Sequence, residues 1–317
     1  GGVLRFDSTI QETVKFINSF VLVRHVDRVA ATPPCVWSLD WFVERRPVGM
    51  VDVENALESY AAANVGVVLV FDNPCITPDM LDDAYGRALV ETLYKCDRVR
   101  KNAVCVASDT LAERIRAICP KMPVYCHVNR LVMEQSKRTA ALYNKLAGLY
   151  NRVYLHPLDA TKPSIYTAIA NPVQFDVVMN DPCLRTCPVR RDHMKLLAEI
   201  RRNPYDMALA ARRNALIDRN GCHAVDAATL TQKRSLNLTR DEATALYNAG
   251  FRSFTIQGNQ FRNEMTLLWD IFRCMLDQSP ELTNKAALIA SSAMAQFAMA
   301  KAKLPSGLKS FSFSNYE

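Results

Sequence analysis

The run Val65-Gly66-Val67-Val68-Leu69-Val70-Phe71 contains no polar residue. A strand with one wet face alternates polar and apolar positions, whereas a strand apolar on both faces belongs to a parallel sheet covered on both sides. Parallel neighbours must be joined by crossovers of about a dozen residues or more, usually helices. This one segment therefore directs the chain toward an α/β fold.

The surrounding sequence supplies the crossovers. Asp72-Asn73-Pro74 is a turn signal, and Thr77 followed by Pro78 reads as an N-cap with proline in the first helical position. Met80, Leu81, Tyr85, Leu89, Leu93 and Tyr94 then recur at helical spacing. Further strands are expected at Ala103–Ala107, Pro123–Val128, Arg152–His156 and Phe175–Met179. Between and after them, helices are expected from Ser108/Asp109 to about Ile118, from about Glu134 to Tyr150, over about Ser164–Ile169 and over Arg191–Arg202. Thr239-Arg240-Asp241-Glu242 reads as the capped start of a helix ending at Gly250. Phe251–Gln257 is the last clear strand, and a strand around Phe20–Ala31 completes the set.

Seven or eight such cycles point to a TIM-like (β/α)8 barrel, a single domain over residues 1–317, with a doubly wound open sheet as the competitor. No Gly-x-Gly-x-x-Gly fingerprint follows the first strand, which weighs against the dinucleotide-binding form of that competitor. Residues 203–240 break the cycle and read as an insertion, a lid or a partner surface. Residues 282–317 read as a C-terminal helix (about Asn284–Lys303) and tail, packed on the exterior or at a homo- or hetero-oligomeric contact.

Charge and cysteine content narrow the partners. The net charge of +7 favours an anionic small molecule or a nucleic acid such as RNA. The densest basic cluster, Arg98-Val99-Arg100-Lys101, is short and reads as a solvated face. No stretch approaches the roughly 18 apolar residues of a membrane span. The first residues carry no basic-then-apolar secretory pattern, so a cytoplasmic chain with mostly reduced thiols is expected. Of ten cysteines, Cys96, Cys105, Cys119, Cys126 and Cys274 fall within strands or helices and read as buried, inert sulfur. Cys35, Cys75, Cys183, Cys187 and Cys222 fall in loops beside Pro or Gly.

Cys183-Leu184-Arg185-Thr186-Cys187-Pro188 follows directly on the strand Phe175–Met179 and on Asn180-Asp181-Pro182. In a barrel that is the C-terminal strand end, where active sites are built. Two thiolates on a tight turn can share one centre, and thiolates suit both iron–sulfur clusters and zinc. Cys35, in Pro33-Pro34-Cys35-Val36-Trp37 after the first strand, and Cys222, in the insertion, are the candidate third and fourth ligands. The spacing excludes a radical S-adenosylmethionine motif, since Pro188-Val189-Arg190 stands where a third cysteine belongs. Neither a His-Glu-x-x-His zinc motif nor a Gly-x-Ser-x-Gly elbow is present.

The string Asn180-Asp181-Pro182-Cys183-x3-Cys187-Pro188-x-Arg190-x-x-His193 resembles the signature of the U32 peptidase-like family. It is most similar to the branch reading Asn-Glu-x-Cys-x3-Cys-Pro-x-Arg-x-x-His. The Pro33-to-Trp37 loop, the Phe71-Asp72-Asn73 strand end and Phe254-Thr255-Ile256-Gln257-Gly258 fit that branch in order. The resemblance implies a TIM-like barrel and, for several relatives, a [4Fe–4S] cluster. Some relatives carry out oxygen-independent hydroxylation of a quinone precursor or of a pyrimidine in RNA; others are called collagenase-like peptidases. The quinone-pathway members carry a further cysteine just upstream of the pair. This chain has none there, so Cys222 would have to supply that ligand.

Roles follow from position. Arg190 could bind a carboxylate or phosphate, His193 could act as acid or base or orient substrate, and Asp181 joins them as a catalytic candidate. Asn73, Asn180 and Gln257 end strands and would face substrate, or would merely satisfy turns. His127 and His156 also end strands and read as hydrogen-bonded structural residues. The resulting expectation is an iron–sulfur barrel enzyme of the hydroxylase type. A zinc-binding or peptidase-like hydrolase and a non-catalytic barrel subunit are the alternatives.

Overall fold

The apolar run forms the second of seven strands in one parallel sheet. These are β1 (Arg28–Ala31), β2 (Gly66–Phe71), β3 (Ala103–Val106), β4 (Val124–Cys126), β5 (Arg152–Leu155), β6 (Phe175–Val178) and β9 (Ser253–Thr255). β7 (Asn180–Leu184) and β8 (Ser235–Asn237) form a separate antiparallel pair. The computed structural model describes residues 27–39, 47–134, 137–184, 187–220 and 235–256. By its contacts the chain divides into Gly1–Gln260 and Phe261–Glu317, and every described residue belongs to the first unit. The expected C-terminal helix, Gln257 and Cys222 lie outside the described residues.

Strands β1 to β6 lie side by side in chain order, and β9 follows β6. A doubly wound sheet reverses its strand order at a switch point. No reversal occurs here, so the sheet curls one way, into a half-barrel. Among the described residues no pairing joins β1 to β9.

Alternation along the strands divides the core. Val68, Val70, Ala103, Cys105, Tyr125, Tyr154 and Val178 gather in one cluster inside the curl, closed by Val128. The intervening Val67, Leu69, Val104, Val106, Val153, Leu155 and Val177 are also buried. Both faces are dry, and each such side chain contributes on the order of 1.5–3 kcal/mol relative to exposure. At the floor, Asp176 accepts from Ser253 Oγ (2.9 Å) and Thr255 Oγ1, tying β6 to β9.

The helices are α1 (Met50–Ala62), α2 (Ala84–Lys95), α3 (Asp109–Ile118), α4 (Val128–Val132), α5 (Ala140–Leu149), α6 (Pro157–Ala160), α7 (Pro163–Tyr166), α8 (Arg190–Arg202), α9 (Met207–Arg219) and α10 (Arg240–Asn248). The capping box at α10 forms as its sequence predicts: Thr239 N donates to Glu242 Oε2 (2.7 Å) and Glu242 N to Thr239 Oγ1 (3.2 Å). Gly250 follows with φ +101°, a conformation L side chains avoid.

Three expectations are corrected. Thr77-Pro78 begins only a 3-10 turn, Pro78–Met80, in which the Thr77 side chain makes no cap bond. The helix starts at Ala84, where Asp83 Oδ1 accepts from Gly86 N (2.7 Å), a carboxylate doing what the threonine does not. The helix expected from about Glu134 begins at Ala140, capped by Thr139, after the separate turn of α4. Finally, Asn180–Leu184 is a strand rather than a tight turn, because residues 203–240 contain α9 and the partner strand β8.

Candidate metal and ligand site at the sheet mouth

The C-terminal strand ends carry the chemistry-bearing residues. Met179 leaves β6 pinned on both sides: its N–H donates to Thr255 O (2.9 Å) and its carbonyl accepts from Leu238 N (2.9 Å). That fixes where β7 begins. Asn180, 1% exposed, pairs with Asn237 across β7–β8. Asp181, 2% exposed, accepts from Cys183 N at Oδ1 (2.9 Å) and from Arg190 Nη2 at Oδ2 (2.6 Å).

One carboxylate thus clamps the start of the cysteine segment to the first residue of α8. Both Cys183 and Cys187, at the two ends of that segment, are half-buried. Burial opposes the charge of Arg190, but Asp181 and then the Cys183 and Cys187 sulfurs outweigh it, and the guanidinium is held protonated. Its Nε and Nη1 are buried and, among the described residues, have no hydrogen-bond partner.

His193 lies one turn along α8 and is 8% exposed. Burial, with Arg213 of α9 and Arg190 nearby, lowers its pKa to about 4. At neutral pH it is a neutral imidazole, suited to orienting a group rather than donating a proton from a charged ring.

Cys35 and Asn73 belong to a neighbouring construction. Asn73 is fully buried and spends its side chain on backbone, with Nδ2 donating to Val36 O (2.9 Å) and Oδ1 accepting from Cys75 N (2.9 Å). Cys35 lies 3.8 Å (Sγ) from Ser38 Oγ, and its carbonyl accepts from Arg201 Nε (3.0 Å). Burial, with Asp83 adding to it, pushes the Cys35 thiol up to about 12. Arg201 and Arg190 stand at opposite ends of α8, eleven residues or roughly 16 Å apart along its axis. Among the described residues no three His, Cys, Asp or Glu side chains are gathered as a metal site. The structure therefore brings Asp181, Cys183, Cys187 and Arg190 together and keeps Cys35 and Asn73 apart from them.

Two mouth residues were set aside by sequence reasoning. His127 and His156 follow directly on β4 and β5, in the matching strings Val124-Tyr125-Cys126-His127 and Val153-Tyr154-Leu155-His156. That repeat was the available signal. Each pKa is lowered first by burial and then by Arg190, to about 4 for His127 and well below the ordinary 6.5 for His156.

Fold and site together define the class: a singly wound α/β half-barrel with a buried guanidinium, two thiols and neutral imidazoles at its mouth. No protein-family model, curated protein or solved structure matches the chain at a significant level.

Proposed function

We propose that the protein is a metal-dependent barrel enzyme that binds an iron–sulfur cluster through Cys183 and Cys187, with Cys222 as a further ligand, and acts on an anionic substrate. The observation that carries this reading is the Asp181–Arg190 clamp. It holds two half-buried thiols at a strand end beside a cation with two unpartnered donors. Thiolates are the natural ligands of such clusters, and a buried positive charge compensates the anionic centre they form. Cys35 is left out of this proposed ligand set, since its carbonyl meets Arg201, at the other end of α8 from Arg190, and its sulfur lies beside Ser38.

A bound cluster supplies one-electron transfer, which suits oxygen-independent hydroxylation. The chain's own residues do the rest. Asp181 holds the cysteine segment against α8, Arg190 draws a negative group toward the mouth, and neutral His193 orients without adding charge. A closed barrel is part of the same proposal.

The test is anaerobic purification of the full chain, followed by an absorption spectrum and iron and zinc analysis of wild type and Cys183→Ala. A broad band near roughly 400 nm with about four irons, lost in the variant, is expected. Stoichiometric zinc would replace the cluster with a zinc site on the same thiols. Absence of both metals after reconstitution would overturn the proposal.

A further inference from the structure

Among the described residues, the seven helices that carry a side-chain N-cap differ in the residue they use. Asp83, Ser108, Thr139, Asp206 and Thr239 cap five of them, the ordinary choices for an acceptor that must satisfy a backbone N–H. The remaining two, α4 and α6, are capped by His127 and His156. A cap needs one acceptor, and histidine is an uncommon way to supply it. The two exceptions are the two that stand at the ends of β4 and β5.

The capping bonds fix the chemistry of the other ring nitrogen. Nδ1 of His127 accepts from Asn129 N (3.2 Å), and Nδ1 of His156 accepts from Leu158 N (3.2 Å). A neutral imidazole with Nδ1 accepting carries its proton on Nε2, so each ring offers an N–H donor on the side away from its helix. Tyr125 and Tyr154, two residues earlier on each strand, both face the interior cluster. Period-two alternation turns His127 and His156 toward the same interior, one layer nearer the mouth.

Strand pairing then sets both near the strand that leads to the clamp: β4 pairs with β5 and β5 with β6, which runs on into Asn180 and Asp181. α4, which starts immediately after His127, packs on α8, whose first residue is Arg190. α6, which starts immediately after His156, packs on β8, the partner of the strand that carries Asp181. Arg190 is the charge that acts on both rings. Its two unpartnered nitrogens, Nε and Nη1, lie on different edges of the guanidinium, so a single two-oxygen group bridging one edge cannot satisfy both.

We propose that His127 and His156, through Nε2–H, and Arg190, through one of its two unpartnered nitrogens, form an oxyanion-binding floor that holds the carboxylate or phosphate group of the ligand. This rests on the reading above that the mouth is the ligand site, and it assigns the anchoring group. Neutral donors beside one guanidinium suit an oxyanion, because a second and third cation would repel Arg190 while neutral N–H groups add donors at no electrostatic cost.

The experiment is a calorimetric titration of the full chain at constant ionic strength and neutral pH, with inorganic phosphate in one arm and succinate in the other. The variants are His127→Asn and His156→Asn. Asparagine keeps an acceptor where Nδ1 stood, preserving the cap, and removes the Nε2 donor. Arg190→Gln joins them, and because it leaves Asp181 buried without its partner, the histidine variants carry the test if it does not fold. Wild type should bind at least one probe, each asparagine variant about tenfold more weakly, and Arg190→Gln not measurably. Binding of phosphate alone assigns a phosphate group, and of succinate alone a carboxylate. Binding of neither, or unchanged affinity in both asparagine variants, overturns the proposal. Metal content separates this from the cluster: anion binding without metal removes the cluster and leaves the floor, and metal without anion binding does the reverse.

Discussion

At the scale of single residues, the Asp181–Arg190 pair is the most consequential contact at the mouth. Both side chains are largely buried, 3% and 11% exposed, and each stabilises a group that water does not reach. Removing one partner of such a pair leaves an uncompensated buried charge, which costs about 3–5 kcal/mol. Asp181→Asn should therefore lower stability by an amount of that order in urea denaturation; a loss under about 1 kcal/mol would mean that the guanidinium has other support. The histidines add a pH dependence. His127 and His193 have folded pKa values of about 4, and His156 lies well below 6.5, all lowered first by burial. Charged neighbours are Arg190 and Asp181 for His127, Arg190, Arg138 and Lys162 for His156, and Arg213 and Arg190 for His193. The unfolded chain binds protons at these sites at higher pH than the folded one does. Their contribution to stability is thus complete above about pH 6.5 and is lost as pH falls toward 4. Urea midpoints measured from pH 7.5 down to 4.5 should fall along the series, and a flat profile would contradict rings held neutral in the fold. Asp181, Cys183, Cys187 and Arg190 were legible as a group because they are close in sequence. The place of His127 and His156 beside them was not, since it depends on which strands pair, β4 with β5 and β5 with the β6 that leads into Asp181.

At the scale of elements, local signals were readable where one residue type does one job. Ser108 caps α3, Thr239 and Glu242 cap α10, and Gly250 takes the left-handed conformation after it. They failed where two candidates competed, as with Thr77 and Asp83 before α2, because tertiary packing chose the start. Trp37 decides that choice. Its Nε1 donates to Met80 O (2.6 Å), its ring meets Phe71 edge-on at 5.2 Å, and it lies against Gly86 of α2. A Cβ at Gly86 would stand 2.6 Å from Trp37 Cε3, and the ring, fully buried, has no room to give. Gly86→Ala should destabilise by about 1–3 kcal/mol despite alanine's better helix propensity. A thermal midpoint equal to or above wild type would show that α2 can shift away from the ring.

At the scale of the whole molecule, the parallel, doubly covered sheet was legible because Val65–Phe71 admits no wet face, and the sequential order of β2 to β6 then follows from short crossovers. What could not be read was which loop cysteines converge. Cys35 and Cys183 both follow strands of the same sheet, β1 and β6, yet their loops meet opposite ends of α8, one at Arg201 and the other, through Asp181, at Arg190. Sequence position alone equates the two loops; their contacts with α8 do not. In the proposed site the metal lies on the Arg190 side of α8. The iron content of anaerobically purified Cys35→Ala, Cys183→Ala and Cys187→Ala proteins, set beside wild type, decides this. Iron at the wild-type level is expected in Cys35→Ala, and loss of the cluster in the other two. Loss in Cys35→Ala, or retention in both Cys183→Ala and Cys187→Ala, would contradict it.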